Sequence, residues 1–178
     1  MKSENREELV VLVDDNDKQI GTAKKSEVHT KDTPLHRAFS VFLFDADGKV
    51  LATQRSKQKL TWPGVWSNSF CGHPTPGESR EEAIERRIGE ELGCGIRNLK
   101  KVSDYRYRFE RDGVVENEIC PVYVGEIEGD LAPNSKEIQA WGWYKWEDFR
   151  DELRLDETNK WSQWSKEEVL LVDKFLKA

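Results

Sequence analysis

The chain has 178 residues, 37% hydrophobic and 35% charged, which is the composition of a globular domain rather than a disordered segment. Its formal net charge of −6 gives no overall positive field, so we expect no nucleic acid partner and leave open a small anion held by local cations or a metal. No apolar run approaches the roughly 18 residues of a membrane span, and the N-terminus lacks the apolar block of a secretory signal.

The first half of the chain carries three apolar segments bounded by turn signals, a pattern typical of strands. The predicted strands span residues 9–13, 38–44 and 50–55. The second and third flank residues 45–48, whose Asp and Gly residues predict the turn of a β-hairpin.

The second half predicts a central helix, further strands and two closing helices. Within residues 79–92, Ile84, Ile88 and Leu92 recur at helical spacing. The other predicted elements are strands at 105–109, 114–124 and 141–146, and helices at 147–153 and 166–176. Since no repeat or flexible linker divides the chain, we expect one mixed α/β domain over residues 1–178.

The central helix places a carboxylate on its apolar face. Glu91 follows Ile84 by seven residues, which is within about 20° of the same direction around the helix. A carboxylate facing a core is costly unless it is paired or binds a cation. Arg87 borders that face, so the two residues form either an internal ion pair or, as we favour, a Mg²⁺ carboxylate beside a phosphate-binding arginine.

Two further acids lie close together on a predicted strand. Period-two alternation puts Glu116, Glu118 and Cys120 on one face and Asn117 on the other. Neighbouring carboxylates repel each other unless a cation or a shared proton relieves them. A solvated sheet edge is the alternative, but the apolar flanks of the segment argue for burial.

The three histidines of the chain supply possible nitrogen ligands. They are His29, His36 and His73. Each alone is more often a loop or core histidine than a ligand. Together with Glu116 and Glu118 they would form an N3O2 set suited to octahedral Mn²⁺ or Mg²⁺, or to Zn²⁺ with expanded coordination. The spacing does not establish that they converge.

The cysteines are three in number and show no C-x-x-C spacing, so neither a disulfide framework nor a zinc knuckle is predicted. This usage favours a reducing cytoplasm. Cys71 immediately precedes Gly72 and His73, which makes it a candidate for catalysis. Cys94 and Cys120 are interpreted as small buried hydrophobes, although Cys120 shares the face of Glu118.

Residues 72–94 resemble the Nudix box, G-x5-E-x7-R-E-U-x-E-E-x-G-U, where U is apolar. The positions in register are Gly72, Glu78, Arg86, Ile88, Glu90, Glu91 and Gly93, and Cys94 takes the last place. The resemblance implies a Nudix-like α/β/α sandwich with a mixed sheet. Arg87 stands where the box has its first REU glutamate, and this argues against ordinary Nudix hydrolysis, which needs a cluster of acids to gather Mg²⁺ and activate water.

Three separated motifs resemble the type 1 isopentenyl diphosphate isomerases, Nudix-fold enzymes with a catalytic cysteine and a metal-bound glutamate. They are HTKDTPLHRAFS at 29–40, TWPGVWSNSFCGHP at 61–74 and VVENEICPV at 114–122. The resemblance runs from about residue 9 to 161–164. It implies an enzyme of isoprenoid biosynthesis that interconverts isopentenyl and dimethylallyl diphosphates.

The resemblance also implies roles for individual residues. The acid/base pair would be Cys71 and Glu118, with Tyr107 beside the glutamate. A first divalent metal, Mn²⁺, Zn²⁺ or Mg²⁺, would be bound by His29, His36, His73, Glu116 and Glu118. Glu91 would help to hold Mg²⁺ on the substrate diphosphate. The cations gripping that diphosphate would be Lys25, Arg55, Lys59 and Arg87, and the indole over the hydrocarbon would be Trp164.

Moving the double bond requires one proton to be added and another removed, through a tertiary carbocation-like state. Glu118 is the candidate donor and the Cys71 thiolate the candidate base, although the sequence leaves open which group donates first. An aromatic face shelters the cation from water without offering a nucleophile. Trp164 is the candidate for this role and Trp66 a second one, while most of the seven tryptophans belong to the core.

Two rival functions remain open at this point. One is a Nudix pyrophosphohydrolase of a nucleoside diphosphate derivative, and the other is a metal-ordered binding module without activity. The expected partner is a small allylic or homoallylic diphosphate, and the expected assembly is a monomer or a weak homodimer.

Overall fold

The computed structural model describes residues 7–178; the expectation about a secretory signal falls largely on residues 1–6, which lie outside that range. The strands are β1 Leu9–Val13, β2 Gln19–Lys24, β3 His36–Arg37, β4 Phe39–Phe44, β5 Val50–Arg55, β6 Trp66–Ser67, β7 Phe70–Gly72, β8 Gly95–Ser103, β9 Arg106–Arg111, β10 Val114–Ile119, β11 Val122–Glu128 and β12 Ile138–Tyr144. The helices are α1 Lys25–Val28, α2 Arg80–Leu92, α3 Trp146–Leu155 and α4 Gln163–Leu176.

The strands form two mixed sheets. One has the order β2-β1-β3-β10-β9, with β3 and β10 parallel. The other has the order β12-β5-β4-β11-β8, with β4 and β11 parallel, and carries the short strands β6 and β7 on β5 and β4. In both sheets the parallel pair is formed by segments far apart in sequence, so these two pairs close the domain.

The larger sheet lies between helices, and alternation along β4 shows how. Val41 and Leu43 point to one side and pack with Ile84 and Ile88 of α2. Phe42 points to the other side and packs with α3 and α4. Successive side chains of a strand face opposite ways, so a strand buried on both sides reads as a continuous apolar run. The predicted α/β/α sandwich is confirmed.

Helix α2 carries its own start and stop signals. The Ser79 hydroxyl accepts a hydrogen bond from the backbone N–H of Glu82, while the Glu82 side chain accepts one from the backbone of Ser79, which is a capping box. The helix ends at Gly93, whose φ of 66° is left-handed. Within the part of the chain that the structure covers, no helix is long and apolar enough to cross a membrane.

The predicted strand at 114–124 is wrong in one respect, because the structure divides it into β10 and β11, which belong to different sheets. The break lies at Cys120 and Pro121. Proline has no N–H to donate to a ladder, so it cannot continue a central strand. The smaller sheet therefore receives Glu116 and Glu118, and the larger sheet receives the apolar remainder.

The short strand β7 was missed by sequence analysis, together with β2, β3, β6, β8 and α1. Strand β7 pairs Cys71 with Ser40 and Gly72 with Phe39. A Cβ atom on Gly72 would lie 2.7 Å from the Phe39 ring and 3.2 Å from the Arg87 side chain. A glycine between Cys71 and His73 is therefore required by close packing.

Candidate active site

A cavity of about 770 Å³ opens between the two sheets. Eleven of the thirteen predicted site residues line it: Lys25, His29, Arg55, Lys59, Cys71, His73, Arg87, Tyr107, Glu116, Glu118 and Trp164. The other two, His36 and Glu91, lie behind that wall as contacts of lining residues. Cys71 comes from the larger sheet and Glu118 from the smaller one, so the two sheets bring the predicted acid and base to one cavity.

Four possible metal ligands converge. One ligand atom each from His29, His36, His73 and Glu118 lies within 4.8 Å of the others. Strand pairing explains part of this, because Glu118 of β10 lies beside His36 of β3 in parallel register. The Oε1 atom of Glu118 is 2.8 Å from Nε2 of His73 and 3.3 Å from Nε2 of His36.

The predicted fifth ligand, Glu116, lies beside this group, with Oε2 3.1 Å from Nε2 of His29. The Nε2 atoms of His29 and His36 and the Oε2 atom of Glu116 are buried and have no hydrogen-bond partner among residues 7–178. Buried polar atoms normally have partners, so unpaired nitrogen and oxygen atoms that face each other suit a shared cation. The donor set fits a divalent metal.

The charge states of two members of the group, His73 and Glu118, also suit a metal, whereas in His36 burial is outweighed by the Glu118 carboxylate and the pKa is raised. Burial lowers the pKa of His73 to about 3, so this imidazole is neutral at neutral pH. Burial opposes ionisation of Glu118, but the imidazoles of His36 and His73 outweigh it and hold the pKa of Glu118 well below its ordinary value. A neutral imidazole and an ionised carboxylate are the forms that bind metals.

The hydroxyl of Tyr107 completes the surroundings of Glu118. Tyr107 lies opposite Glu118 in the antiparallel pair of β9 and β10, and its hydroxyl donates to Oε2 of Glu118 at 2.6 Å. Burial, followed by the negative charge of Glu118, raises the pKa of Tyr107 well above its ordinary value, so the phenol keeps its proton. One oxygen of Glu118 thus faces the histidines and the other faces a neutral donor.

The sulfur of Cys71 is held at the cavity by two buried polar side chains. It lies 3.4 Å from Oγ of Ser40 and 3.4 Å from Oδ1 of Asn68. Burial raises the pKa of the thiol, and the charges of Glu168 and Glu118 act in the same direction. The resting form of Cys71 is therefore the neutral thiol.

Behind Cys71 lies Glu168, which sequence analysis missed. This residue of α4 is fully buried, and its Oε2 atom is 2.6 Å from Oγ of Ser40. Burial raises its pKa to about 8, and the charge of Glu118 adds to the rise. Its position in an amphipathic helix next to the exposed Glu167 gave no signal, because which of two adjacent glutamates is buried depends on how the helix packs.

The raised pKa predicts how the stability of the protein depends on pH. An unfolded chain loses the Glu168 proton near the ordinary pKa of 4.5, whereas the folded chain keeps it up to about 8, so stability falls as the pH rises between these values. Glu168→Gln has no such proton. We expect its melting temperature to rise relative to wild type by roughly 5 °C or more between about pH 5 and pH 8.

Thermal unfolding at a series of pH values measures this difference. Glu157→Gln is the control, since Glu157 is an exposed glutamate that does not act on Glu168 and should leave the pH dependence unchanged. A difference between Glu168→Gln and wild type that stays constant with pH would show that Glu168 titrates normally in the folded state.

The four predicted phosphate-binding cations lie along one wall of the cavity, and three of them are paired with acids. Lys25 contacts Glu8 at 2.9 Å, and Lys59 contacts Glu137. The guanidinium of Arg87 lies 3.5 Å from the same Glu137. Sequence analysis missed Glu8 and Glu137, which lie in segments without a motif and reach the cavity only through folding.

The observed geometry of Arg87 and Glu91 is the internal ion pair that the sequence left as one alternative. Arg87 donates to Oε1 of Glu91 from Nε at 3.1 Å and also from Nη2. Arg87 faces the cavity, whereas Glu91 does not line it. Arg86 lies further out and binds Glu78 through two hydrogen bonds of 2.7 and 2.8 Å, so these two box residues fasten the loop before α2 to the helix.

Aromatic residues form the remaining wall. Trp164 stacks on Tyr107 with ring centroids 6.0 Å apart and lies 5.6 Å from Trp62. The guanidinium carbon of Arg55 is 5.7 Å from the centroid of the Trp164 ring. Arg55 itself is held by the backbone carbonyls of 61 and 62.

The second aromatic candidate, Trp66, does not belong to this wall, and Cys120 is the small buried hydrophobe that the sequence predicts. Trp66 packs against Trp161 in the core between the larger sheet and the C-terminal helices, so it does not line the cavity. Cys120 is also away from the cavity, because β10 ends at Ile119 and the alternation of faces stops there. It packs with Trp62 and Trp164 as a small buried hydrophobe.

The sequence of the chain is similar to those of known proteins. A NUDIX domain model matches residues 34–164, which is more than half of the chain. The isopentenyl-diphosphate Delta-isomerase of Mycolicibacterium vanbaalenii is 47% identical over 170 residues, covering 93% of this chain and 92% of that protein. The chain belongs to the isopentenyl-diphosphate Delta-isomerase family of Nudix proteins.

A second member of the isopentenyl-diphosphate Delta-isomerase family, from Paenarthrobacter aurescens, is 54% identical over 141 residues, 78% of this chain and 77% of that protein. Solved structures share the fold at lower identity. A Deinococcus radiodurans protein, DR0079, superposes with a TM-score of 0.71 at 20% identity, covering 92% of this chain and 98% of that one. A MutT NUDIX hydrolase from Burkholderia pseudomallei gives a TM-score of 0.62 at 20% identity, covering 78% of this chain and 98% of the hydrolase.

Proposed function

We propose that this member of the family interconverts isopentenyl diphosphate and dimethylallyl diphosphate by adding a proton to the double bond and removing another. The observation that supports the proposal most directly is that Cys71 and Glu118, from different sheets, line one cavity. A proton donor and a proton acceptor on separate walls allow one hydrogen to arrive and another to leave a flat substrate between them.

The first metal would be held by His29, His36, His73 and Glu118, with Glu116 beside them. Bound there, a divalent ion such as Mn²⁺, Zn²⁺ or Mg²⁺ would supply positive charge that makes a proton on Glu118 more acidic. Three of the five side chains in this group are imidazoles, and the other two are the carboxylates of Glu116 and Glu118. This donor set favours an ion that accepts nitrogen ligands.

The diphosphate would bind at the wall formed by Lys25, Arg55, Lys59 and Arg87. Three of these cations already contact Glu8, Glu137 and Glu91, so a substrate diphosphate would have to replace or share those partners. Glu91, which pairs with Arg87, would help to hold Mg²⁺ on that diphosphate, where the ion would supply further positive charge. Before the substrate binds, the acid partners would hold these cations in place.

The proton steps would use Glu118, Tyr107 and Cys71. The Tyr107 hydroxyl, 2.6 Å from Glu118, can follow the protonation change of that carboxyl by donating to its charged form. Cys71 would exchange the other proton on the opposite side of the substrate. Because the resting thiol is neutral, Cys71 begins as a donor or must lose its proton before it acts as a base.

The indole of Trp164 would protect the cationic intermediate. It is buried, its face packs beside Tyr107, and its Nε1 donates to Oγ of Ser67 at 3.1 Å, which fixes the ring. A cation over a desolvated indole is stabilised by roughly 2 kcal/mol. The aromatic wall also excludes water, which would otherwise capture the cation as an alcohol.

Proton NMR of isopentenyl diphosphate in D₂O with the enzyme and Mg²⁺ tests the function. We expect dimethylallyl diphosphate to form and deuterium to enter its methyl group, because protonation of the terminal CH₂ by an exchangeable acid creates that methyl. Boiled enzyme is the control. An unchanged substrate spectrum would contradict the proposal.

The same sample distinguishes the rival functions. Release of phosphate or pyrophosphate would favour a Nudix pyrophosphohydrolase, which Arg87 in place of a box glutamate argues against. Binding without any product would favour a metal-ordered binding module. The unpaired buried donors favour a metal in either case and therefore do not separate these functions.

We also propose a location, a partner and an assembly state for the protein. All three cysteines are free thiols, which suits the reducing cytoplasm that we propose as the location. The proposed partner is the small diphosphate substrate, with no nucleic acid or membrane, and the proposed assembly is a monomer or a weak homodimer.

A further inference from the structure

A chain of two buried polar side chains, Ser40 and Glu168, leads from the proposed catalytic sulfur into the interior. Oγ of Ser40 lies 3.4 Å from Sγ of Cys71 and 2.6 Å from Oε2 of Glu168. Ser40 and Glu168 are both fully buried. The chain ends at Glu168 of α4, which is separated by 128 residues from Ser40 in the sequence.

The hydrogen-bonding capacity of Ser40 makes this chain directional. A hydroxyl can accept two hydrogen bonds and donate one. Nδ2 of Asn68 donates to Oγ of Ser40 at 2.8 Å and so occupies one acceptor position. The single proton of Ser40 can then point either to Glu168 or to Cys71, but not to both.

Glu168 decides between these two arrangements. An ionised Glu168 can only accept hydrogen bonds, so the Ser40 hydroxyl donates to it. The sulfur of Cys71 then faces a lone pair of the Ser40 oxygen. A neutral Glu168 can donate to the second acceptor position of Ser40, and the Ser40 proton is then free to point at the sulfur. In the second arrangement the donor position and both acceptor positions of the Ser40 hydroxyl are used, and a Cys71 thiolate receives a hydrogen bond.

The surroundings of Glu168 favour its neutral form. Its Oε1 atom is buried and has no hydrogen-bond partner among residues 7–178, and an ionised oxygen in that state is costly. Five charged or titratable groups interact electrostatically with Glu168, and none of them is basic: Cys71, Tyr105, Glu118, Cys120 and Glu167. Burial accordingly raises its pKa to about 8.

We propose that neutral Glu168 turns the Ser40 hydroxyl toward Cys71, so that Ser40 and Glu168 stabilise the thiolate formed during turnover. The inference rests on the isomerase function proposed above. Ser40 and Glu168 both act through Cys71 and are positioning residues rather than catalytic ones. Turnover should then weaken when Glu168 ionises, since the hydroxyl turns away from the sulfur and a second negative charge arises behind it.

Three variants separate the parts of this proposal. Glu168→Gln keeps a donor toward Ser40 and cannot ionise, so we expect its kcat to match wild type within about twofold at neutral pH and to exceed it increasingly above about pH 8. Ser40→Ala removes the hydrogen bond to the sulfur and should lower kcat roughly 10- to 100-fold, with KM within twofold. Ser40→Thr restores a hydroxyl and should recover most of that loss.

The experiment is the pH profile of kcat for the metal-loaded enzyme with isopentenyl diphosphate, with Glu157→Gln, an exposed glutamate that does not act on Glu168, as the control that should follow wild type. A ratio of Glu168→Gln to wild type that is constant with pH would overturn the proposal, as would wild-type kcat in Ser40→Ala. If Glu168→Gln does not fold, the comparison of Ser40→Ala with Ser40→Thr decides, because equal loss in both contradicts a role for the hydroxyl.

A measurement without substrate keeps this inference separate from the isomerase function. Infrared spectra of wild type minus Glu168→Gln should show the carbonyl band of a protonated carboxyl at neutral pH, whether or not the protein turns over isopentenyl diphosphate. Absence of that band would overturn the proposal. Absence of turnover in wild type, with the band present, would instead contradict the proposed function alone.

Discussion

Replacement of Cys71 with alanine is expected to lower the rate of isomerisation by roughly 10²–10⁴-fold, the usual contribution of a general acid or base. In the proposed reaction the sulfur exchanges a proton with the substrate from the larger-sheet side of the cavity. The neighbouring Ser40 and Asn68 are fully buried and donate or accept but carry no replacement proton to the substrate position. The rate of dimethylallyl diphosphate formation, followed by NMR, measures the loss.

The fold should survive this substitution. Strand β7 is held by backbone pairing with β4, which alanine retains, and Cys71 is only partly buried. Circular dichroism and thermal unfolding would check this. Cys94→Ala is the matched control, because Cys94 is also partly buried but packs against the core away from the cavity, and it should keep wild-type turnover. Turnover above a tenth of wild type in Cys71→Ala would exclude a catalytic role for the thiol.

Removal of divalent metal is expected to abolish turnover, and return of Mn²⁺ or Mg²⁺ should restore it. The physical reason is the donor set itself, in which the imidazoles of His29 and His36 end in buried nitrogen atoms without partners. Without an ion, the site would lack the positive charge that makes a proton on Glu118 acidic enough to be given to an alkene. Full activity after exhaustive chelation would count against the site.

His73→Ala should weaken metal retention as well as activity. We expect the ratio of metal to protein after gel filtration, measured by atomic spectroscopy, to fall at least several-fold below wild type. Glu126→Gln provides the control, since Glu126 is a half-buried carboxylate of β11 that is paired with Arg97 and does not line the cavity, and it should retain wild-type metal content. Metal content independent of His73 would place the ion elsewhere, whatever the activity of the variant.

Some of the architecture could be predicted because its signals are local. The helix at 79–92 was predicted from its apolar spacing, and α2 spans Arg80–Leu92, with Ser79 and Gly93 as its caps. The predicted hairpin turn at 45–48 joins β4 to β5, where Phe44 pairs with Val50, and Gly48 has a positive φ of 74°. Such features depend on neighbouring residues alone.

Short strands were missed because their pairing supplies what their sequence lacks. Strand β7 has three residues and β3 has two, too few for alternation to be read. Strand β8 consists largely of exposed or half-buried residues and is defined by its antiparallel pairing with β11. Their existence depends on partners elsewhere in the chain, which is why propensity does not reveal them.

The candidate site divides in the same way. The amino-acid sequence by itself determined which chemical groups the protein has to work with: three histidines, paired carboxylates, a cysteine before Gly72-His73, and an arginine within the Nudix box. Only the tertiary structure decided where they face. Parallel pairing of β3 with β10 brings His36 to Glu118, and packing of α4 on the larger sheet buries Glu168 behind Cys71. Burial and charge at a position are sums over all neighbours in space, and those neighbours come from segments that no local pattern connects.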